Sequence, residues 1–135
     1  MNLTEDYCSF ELSKLLKEKG FDGECIGCYW DSKKTFDINY EPLSYSDGDL
    51  RDEVILAPTH QMAMKWLREK HKISIDICTV QGKDVSYMFN IWDFANIYDN
   101  KYIGGTFDLK EQLYDFNTYE EAVEAALRYS LTNLI

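Results

Sequence analysis

The sequence predicts an α+β protein: a two-layer sandwich in which three helices cover one antiparallel sheet of four or more strands. Two hairpins with alternating apolar and polar residues predict the strands, and three runs with apolar residues at helical spacing predict the helices. The expected order is αββ-αββ-(β)-α within a single domain spanning 1–135. Because the helices cover one face of the sheet, we expect the other face to be partly open, unless a second copy or the segment 94–117 covers it.

The first half of the chain is predicted to hold a helix and a hairpin. Apolar residues recur at helical spacing through 4–19, and Gly20 suits the left-handed end of that helix. Residues 25–30 and 35–40 are expected to pair as strands, because apolar and polar side chains alternate in the second run. The acidic segment 41–52 contains proline and glycine and is expected to be a loop.

A second helix, from Thr59 to about residue 72, is predicted to join the two halves after a short apolar lead-in at 54–56. Pro58 and Thr59 form its start signal. Its expected core face contains Met62, Ala63, Trp66 and Leu67. Three basic residues on the opposite side form the basic stripe, a candidate surface for a protein partner: Lys65, Arg68 and Lys72.

The second hairpin is the clearest in the chain. Its strands at 73–78 and 85–91 both alternate between apolar and polar residues, on either side of a turn that contains glycine. The segment 94–117 shows no sustained period, and short strands are expected near 101–107 and 112–116.

The last predicted element is a helix that begins with a capping box at 118–121. Thr118 is its expected N-cap, and the two glutamates that follow lie at the positive end of the helix dipole. Its expected apolar face contains Tyr119, Val123, Ala126, Leu127, Ser130 and Leu134.

The charge of the chain narrows the classes of partner. A net charge of −10 repels phosphate groups, which argues against direct binding to nucleic acid or to anionic membranes. No apolar run approaches the ~18 residues of a membrane span, and the acidic residues 1–6 lack the order of a secretion signal. We therefore expect a cytoplasmic protein whose four cysteines are reduced thiols.

The motif Cys25-Ile26-Gly27-Cys28 resembles a zinc knuckle or a redox motif, and both have an alternative explanation. Tetrahedral zinc needs two further ligands, and the remaining cysteines and histidines form no second paired motif. A redox motif belongs at the junction of a strand and a helix, whereas a hairpin is predicted here. We expect Cys25 and Cys28 to be buried structural residues, and keep a thiol or zinc site as a lesser alternative.

His60 and His71 lie on one side of the second helix, at opposite ends. They are about 16 Å apart along the axis at ~1.5 Å per residue, too far to share a metal ion. Catalysis at either histidine needs a nucleophile and an orienting partner, which the sequence does not identify. A small hydrolase is therefore the last alternative, and we assign no catalytic, cofactor-binding or metal-binding residue.

Five stretches carry a resemblance that spans most of the chain in the same order: Phe10 to Phe21, Leu56 to Thr59, Met64 to His71, Ile73 to Ile75 and Thr118 to Ala122. They resemble a set of small proteins of unknown activity that are common in gut bacteria and in their phages and mobile elements. The resemblance implies a mobile-element origin and brings no activity, substrate or catalytic residue with it.

These observations together favour a non-enzymatic protein-interaction module without a cofactor, and leave open whether it forms a homodimer. The alternative, from another class, is an acidic decoy that imitates the charge of nucleic acid and inhibits a host DNA-binding protein. A decoy needs carboxylates in rows like those of duplex phosphates, whereas an interaction module needs an exposed binding face.

Overall fold

The structure, a computed structural model, describes residues 1, 3–30, 33–82, 84–95, 101–105 and 116–135. The helices and strands found within them are α1 (Phe10–Glu18), β1 (Cys25–Trp30), β2 (Thr35–Leu43), β3 (Val54–Ala57), α2 (His60–His71), β4 (Ile73–Val80), β5 (Ser86–Asp93), β6 (Lys101–Gly105) and α3 (Tyr119–Asn133). The α+β class is confirmed, with two antiparallel sheets of three strands each in the described part of the chain. One sheet of four or more strands in a two-layer sandwich is not confirmed.

The chain groups into two compact units, residues 1–63 and 64–135, and the boundary between them falls inside α2. Each unit contains one of the sheets. The expectation of a single domain stays a prediction.

In the first unit the strand order is β2-β1-β3, and β3 is the element that the sequence interpretation missed. The residues called a lead-in pair antiparallel with β1, from Trp30 opposite Val54 to Gly27 opposite Ala57. All four residues of β3 are buried. A strand buried on both faces shows no alternation, so its sequence lacks the usual strand signal.

Helix α1 is shorter than predicted, because it begins at Phe10 and not near residue 4. The residues before it are extended: Tyr7 forms an isolated bridge with Thr59, and the Cys8 N–H donates to the Pro58 carbonyl at 2.9 Å. Ser9 is the N-cap, and its side chain accepts the Leu12 N–H. The helix then packs against β3.

Helix α2 begins as predicted, since the Thr59 Oγ1 accepts the Met62 N–H at 3.2 Å. Its predicted core face is wrong at Met62, which is 41% exposed, whereas Met64 is buried. The buried residues of the helix are His60, Ala63, Met64, Trp66 and Leu67. The buried face of α2 is therefore centred on the side of the helix that carries His60 and His71. The sequence pattern placed neither histidine in the core.

In the second unit the strands follow one another as β4-β5-β6. The predicted hairpin is confirmed and pairs without interruption from Ile73 opposite Asp93 to Val80 opposite Ser86. Strand β6 falls where a short strand was expected. The strand expected near 112–116 lies outside the described residues except for Phe116, which forms an isolated bridge with Tyr87.

Helix α3 covers one face of this sheet and contacts β4 and β5. Its N-cap is Thr118, as predicted, and the Thr118 Oγ1 accepts the Glu121 N–H at 3.1 Å. The buried residues of the helix are Ala122, Val123, Ala126, Leu127, Ser130 and Leu131. Within the described residues, no helix has both the length and the apolar composition needed to cross a membrane.

Candidate functional site

The motif at Cys25 and Cys28 lies inside β1, with both thiols buried. Its glycine has a packing role. A Cβ on Gly27 would lie 2.8 Å from the Ala57 carbonyl oxygen and 2.8 Å from Cδ1 of the Tyr7 ring. Gly27 therefore leaves room for Tyr7 to rest on the strand, and no turn of the zinc-knuckle kind forms there.

The surroundings of the two thiols raise their pKa values, whereas the surroundings of a reactive thiolate lower its pKa. Burial raises the pKa of the Cys25 thiol to about 12. Burial also raises the pKa of Cys28, and the nearby Asp37 carboxylate raises it further. Nucleophilic and metal-binding cysteines need a lowered pKa. In the described part of the chain, no group of three or more histidine, cysteine, aspartate or glutamate side chains is placed to hold a metal ion.

The two histidines belong to the packing of α2. His60 is 5% exposed, and its backbone N–H donates to the Asp6 carbonyl at 2.8 Å. The His71 ring meets the Trp66 ring edge-on, with the ring centroids 4.9 Å apart. Neither histidine lines the cleft of the first unit that contains Lys17 and Tyr45.

A cleft of about 760 Å³ lies in the first unit, and its polar groups largely bond to the protein itself. The Lys17 ammonium donates to the Asp52 carbonyl at 2.9 Å and lies 5.3 Å from the centre of the Tyr45 ring. The Tyr45 hydroxyl accepts the Leu56 N–H at 2.8 Å. These bonds attach α1 and the acidic loop to β3. Lys17 and Tyr45 therefore have a structural role in the first unit.

The basic stripe is exposed, but its three residues have different positions. Lys65 lies on α2 and is 3.9 Å from Glu69 in a solvent-exposed ion pair. Arg68 is also exposed on α2. Lys72 follows the last residue of α2 with a positive φ of 59° and donates its ammonium to the Glu69 carbonyl at 3.0 Å. Lys72 therefore caps the end of the helix and does not continue its face.

The face of the second sheet opposite α3 carries a group of aromatic side chains. Tyr87 contacts Tyr119 of α3, and Phe89 and Ile91 are buried, so this alternate set of β5 side chains points towards the helix. The other set points away from it. Trp92 belongs to this second set, Phe94 follows it at the end of β5, and Tyr102 of β6 pairs with Trp92. We name these three rings the aromatic patch: Trp92, Phe94 and Tyr102.

The rings of the aromatic patch contact one another and remain accessible. The Trp92 centroid lies 5.0 Å from that of Tyr102 and 6.4 Å from that of Phe94. Tyr102 is 43% exposed and Phe94 is 38% exposed, while Trp92 is half-buried. Neighbouring aromatic rings that keep this much exposure are a common feature of binding surfaces.

Hydrogen bonds hold one side of the aromatic patch in place. The Tyr102 hydroxyl donates to Asn90 Oδ1 at 3.0 Å, and the Asn90 amide donates to the Cys78 sulfur at 3.6 Å. A Cβ on Gly105 would lie 2.5 Å from that Asn90 oxygen and 2.9 Å from the Tyr102 hydroxyl oxygen. The hydrogen bond between Tyr102 and Asn90 is thus possible only because Gly105 has no side chain.

The sequence interpretation did not identify the aromatic patch. The alternation of 85–91 pointed to a two-faced strand, and continuing it to Trp92 and Phe94 would have placed both on the open face. Tyr102 carried no such signal, because its own segment, 94–117, shows no sustained period. No protein-family model, no curated protein and no solved structure matches this chain.

Proposed function

We propose that this chain is a non-enzymatic, cytosolic protein-interaction module of the mobile-element type, and that the aromatic patch is its binding surface. The observation that carries the proposal is the set of three contacting, accessible rings on the sheet face opposite α3. Tryptophan and tyrosine are enriched among the residues that dominate binding energy at protein interfaces.

Preorganisation supports the same assignment. A side chain that is ordered before binding loses less conformational entropy when a partner covers it. Tyr102 is already held by its bond to Asn90, and its ring lies against Trp92. The surface therefore offers apolar area at a reduced entropic cost, which favours binding.

Affinity capture with matched variants tests the proposal. Trp92→Ala and Tyr102→Ala should each weaken partner binding by roughly tenfold or more, because truncation of a central aromatic residue typically costs about 2 kcal/mol. Tyr40→Ala is the control, since Tyr40 is fully exposed on β2 in the other unit. The partners captured by wild-type protein should be retained by the control and lost by the two patch variants. Equal capture by all four proteins would contradict the proposal.

The acidic decoy is the second candidate, and the distribution of charge favours it. Residues 1–63 contain thirteen acidic and six basic residues and so carry −7 of the net −10. Six exposed acidic residues lie on β2 and the loop that follows it: Asp37, Glu41, Asp47, Asp49, Asp52 and Glu53. Six more lie between residues 5 and 24: Glu5, Asp6, Glu11, Glu18, Asp22 and Glu24. Under this candidate the captured partners are DNA-binding proteins, duplex DNA displaces them, and Trp92→Ala leaves capture unchanged.

A further inference from the structure

We infer that the aromatic patch and the basic stripe form one continuous surface, and that this surface takes an acidic segment of a partner protein that also carries apolar side chains. The inference rests on the proposed function and adds the chemistry of the partner. Its first support is a backbone contact that joins the two features.

The Phe94 N–H donates to the Lys72 carbonyl at 2.7 Å. This bond continues the ladder of β4 and β5 by one pair beyond Ile73 and Asp93, so Lys72 lies directly opposite Phe94. The next pair on that side of the sheet is Ser74 with Trp92. The last residue of the basic stripe is therefore the neighbour of the first ring of the aromatic patch.

The basic stripe retains its positive charge for a partner. Four of the fourteen basic residues fall within the eight positions 65–72, in a chain whose net charge is −10. The ion pair of Lys65 with Glu69 is exposed and spans 3.9 Å, and such pairs contribute about 0–1 kcal/mol. Arg68 makes no ion pair within the described residues. Lys65 and Arg68 could therefore bind an acidic segment without giving up strong ion pairs within the protein.

The dimensions fit a short segment. Lys65 lies six positions before His71, the last residue of α2, or about 9 Å along the helix axis at ~1.5 Å per residue. The aromatic patch extends the surface by 6.4 Å from Phe94 to Trp92 and by a further 5.0 Å to Tyr102. An extended chain of roughly six to seven residues, at ~3.3 Å per residue, would span both features. Its acidic residues would face α2 and its apolar residues the rings.

A single strand of nucleic acid also combines negative charge with flat apolar groups, but the surface disfavours it. Asp76 is exposed on the same face, opposite Asn90, and therefore lies diagonal to Trp92. A base stacked on Trp92 would bring its phosphate close to that carboxylate, in a chain that is already strongly negative. A protein segment can place its carboxylates at the α2 end only.

The test uses a labelled random copolymer of glutamate and tyrosine as the probe and measures its fluorescence anisotropy with the full chain. We expect binding that is at least tenfold tighter than that of polyglutamate, because polyglutamate has no ring for the aromatic patch. A copolymer of lysine and tyrosine and an oligothymidylate serve as the other probes. Tighter binding of either one than of the glutamate–tyrosine copolymer would overturn the inference.

Variants identify which residues of the surface bind the copolymer. The double variant Lys65→Glu/Arg68→Glu and the single variant Trp92→Ala should each weaken binding of the glutamate–tyrosine copolymer by at least tenfold. Lys14→Glu/Arg128→Glu makes the same change of charge at exposed sites on α1 and α3 and should change binding less than threefold. Phe94→Ala is a second variant of the aromatic patch, and it tests the patch if Trp92→Ala lowers the folded fraction in circular dichroism.

The outcomes separate the inference from the proposed function. If Trp92→Ala abolishes capture of the cellular partner while Lys65→Glu/Arg68→Glu retains it, the interaction module stands and the acidic partner is wrong. If the charge reversal matters and no patch variant does, the continuous surface is wrong. If neither set of variants changes copolymer binding or cellular capture, both the inference and the proposed function fail.

Discussion

At the scale of single residues, glycine decides two of the close contacts in this protein. Gly27 admits the Tyr7 ring to β1, and Gly105 admits the bond between Tyr102 and Asn90. The sequence presented Gly27 as the centre of a cysteine motif. It could not show that a tyrosine twenty positions earlier packs on it, because that contact depends on how the N-terminal segment meets residues 58–60.

The substitution Gly27→Ala tests this contact. The added methyl group would lie 2.8 Å from the Ala57 carbonyl oxygen, a backbone atom that cannot move away cheaply. We expect a loss of about 1–3 kcal/mol in the free energy of unfolding, measured by urea titration, as for other overpacked sites. Gly48→Ala is the control, since nothing lies within 4 Å of its added Cβ. Equal stability of the two variants would contradict the close contacts of Ala57 and Tyr7 with Gly27.

Two buried groups predict how stability depends on alkaline pH. The pKa of the Cys25 thiol rises from 9.0 to about 12, and burial raises the pKa of Tyr45 from 10.0 to about 12. Both groups lose their protons first in the unfolded chain. The unfolded state is therefore stabilised relative to the folded state as pH rises above 9, and the folded protein loses stability up to about pH 12.

Urea titrations between pH 8 and pH 11 should show this decline. The expected loss is on the order of 3–4 kcal/mol by pH 11, and the Cys25 thiol accounts for the larger part. In Cys25→Ala the decline should be smaller than in the wild-type chain, because only Cys28 and Tyr45 then remain as buried groups with a raised pKa. A midpoint that stays constant to pH 11 in the wild-type chain would contradict the burial of both groups.

At the scale of elements, β2 shows how an exposed edge strand is kept from pairing. This strand has nine residues, eight of them exposed, and β1 is its one neighbour in the described sheet. The Asp37 carboxylate accepts the Ile38 N–H at 2.9 Å, and the Asn39 amide donates to the Glu41 carbonyl at 3.1 Å. Backbone groups that a second chain would need are thus occupied by nearby side chains.

The double variant Asp37→Ala/Asn39→Ala should increase self-association, because it frees these groups beside the exposed side chains of Phe36, Ile38 and Tyr40. Sedimentation velocity over a range of concentrations measures this. Glu41→Ala removes one charge from the same strand and leaves the two bonds intact, so it is the matched control. A double variant that sediments like Glu41→Ala would show that the two side chains do not protect the edge.

The elements themselves were largely predictable, and the errors have physical causes. The alternation of residues 73–91 gave the β4–β5 hairpin because one face of that hairpin is covered and the other is open. The run at Val54–Ala57 was missed as a strand because both of its faces are buried. In α2 the face was misplaced, since histidine counts as polar in a periodicity although His60 is 5% exposed.

At the scale of the whole molecule, the order of elements suggested two similar halves, and strand order shows where they differ. The first sheet has β1 at its centre, whereas the second has β5 there. Strand order depends on pairing between distant residues, which periodicity does not encode. The place of Tyr102 in the aromatic patch was unpredictable for the same reason, because Trp92 meets Tyr102 only through the pairing of β5 with β6.

The strand order of the first sheet also determines the order in which its strands pair as the chain leaves the ribosome. Four residues separate β1 from β2, but 23 separate β1 from β3, whereas the connections in the second sheet have five and seven residues. Closing the longer loop costs more entropy and slows folding. Until Val54–Ala57 emerges, the nascent hairpin has an uncovered strand that bears Cys25 and Cys28. For that interval a chaperone, or a second nascent copy, can reach two thiols that the finished protein buries.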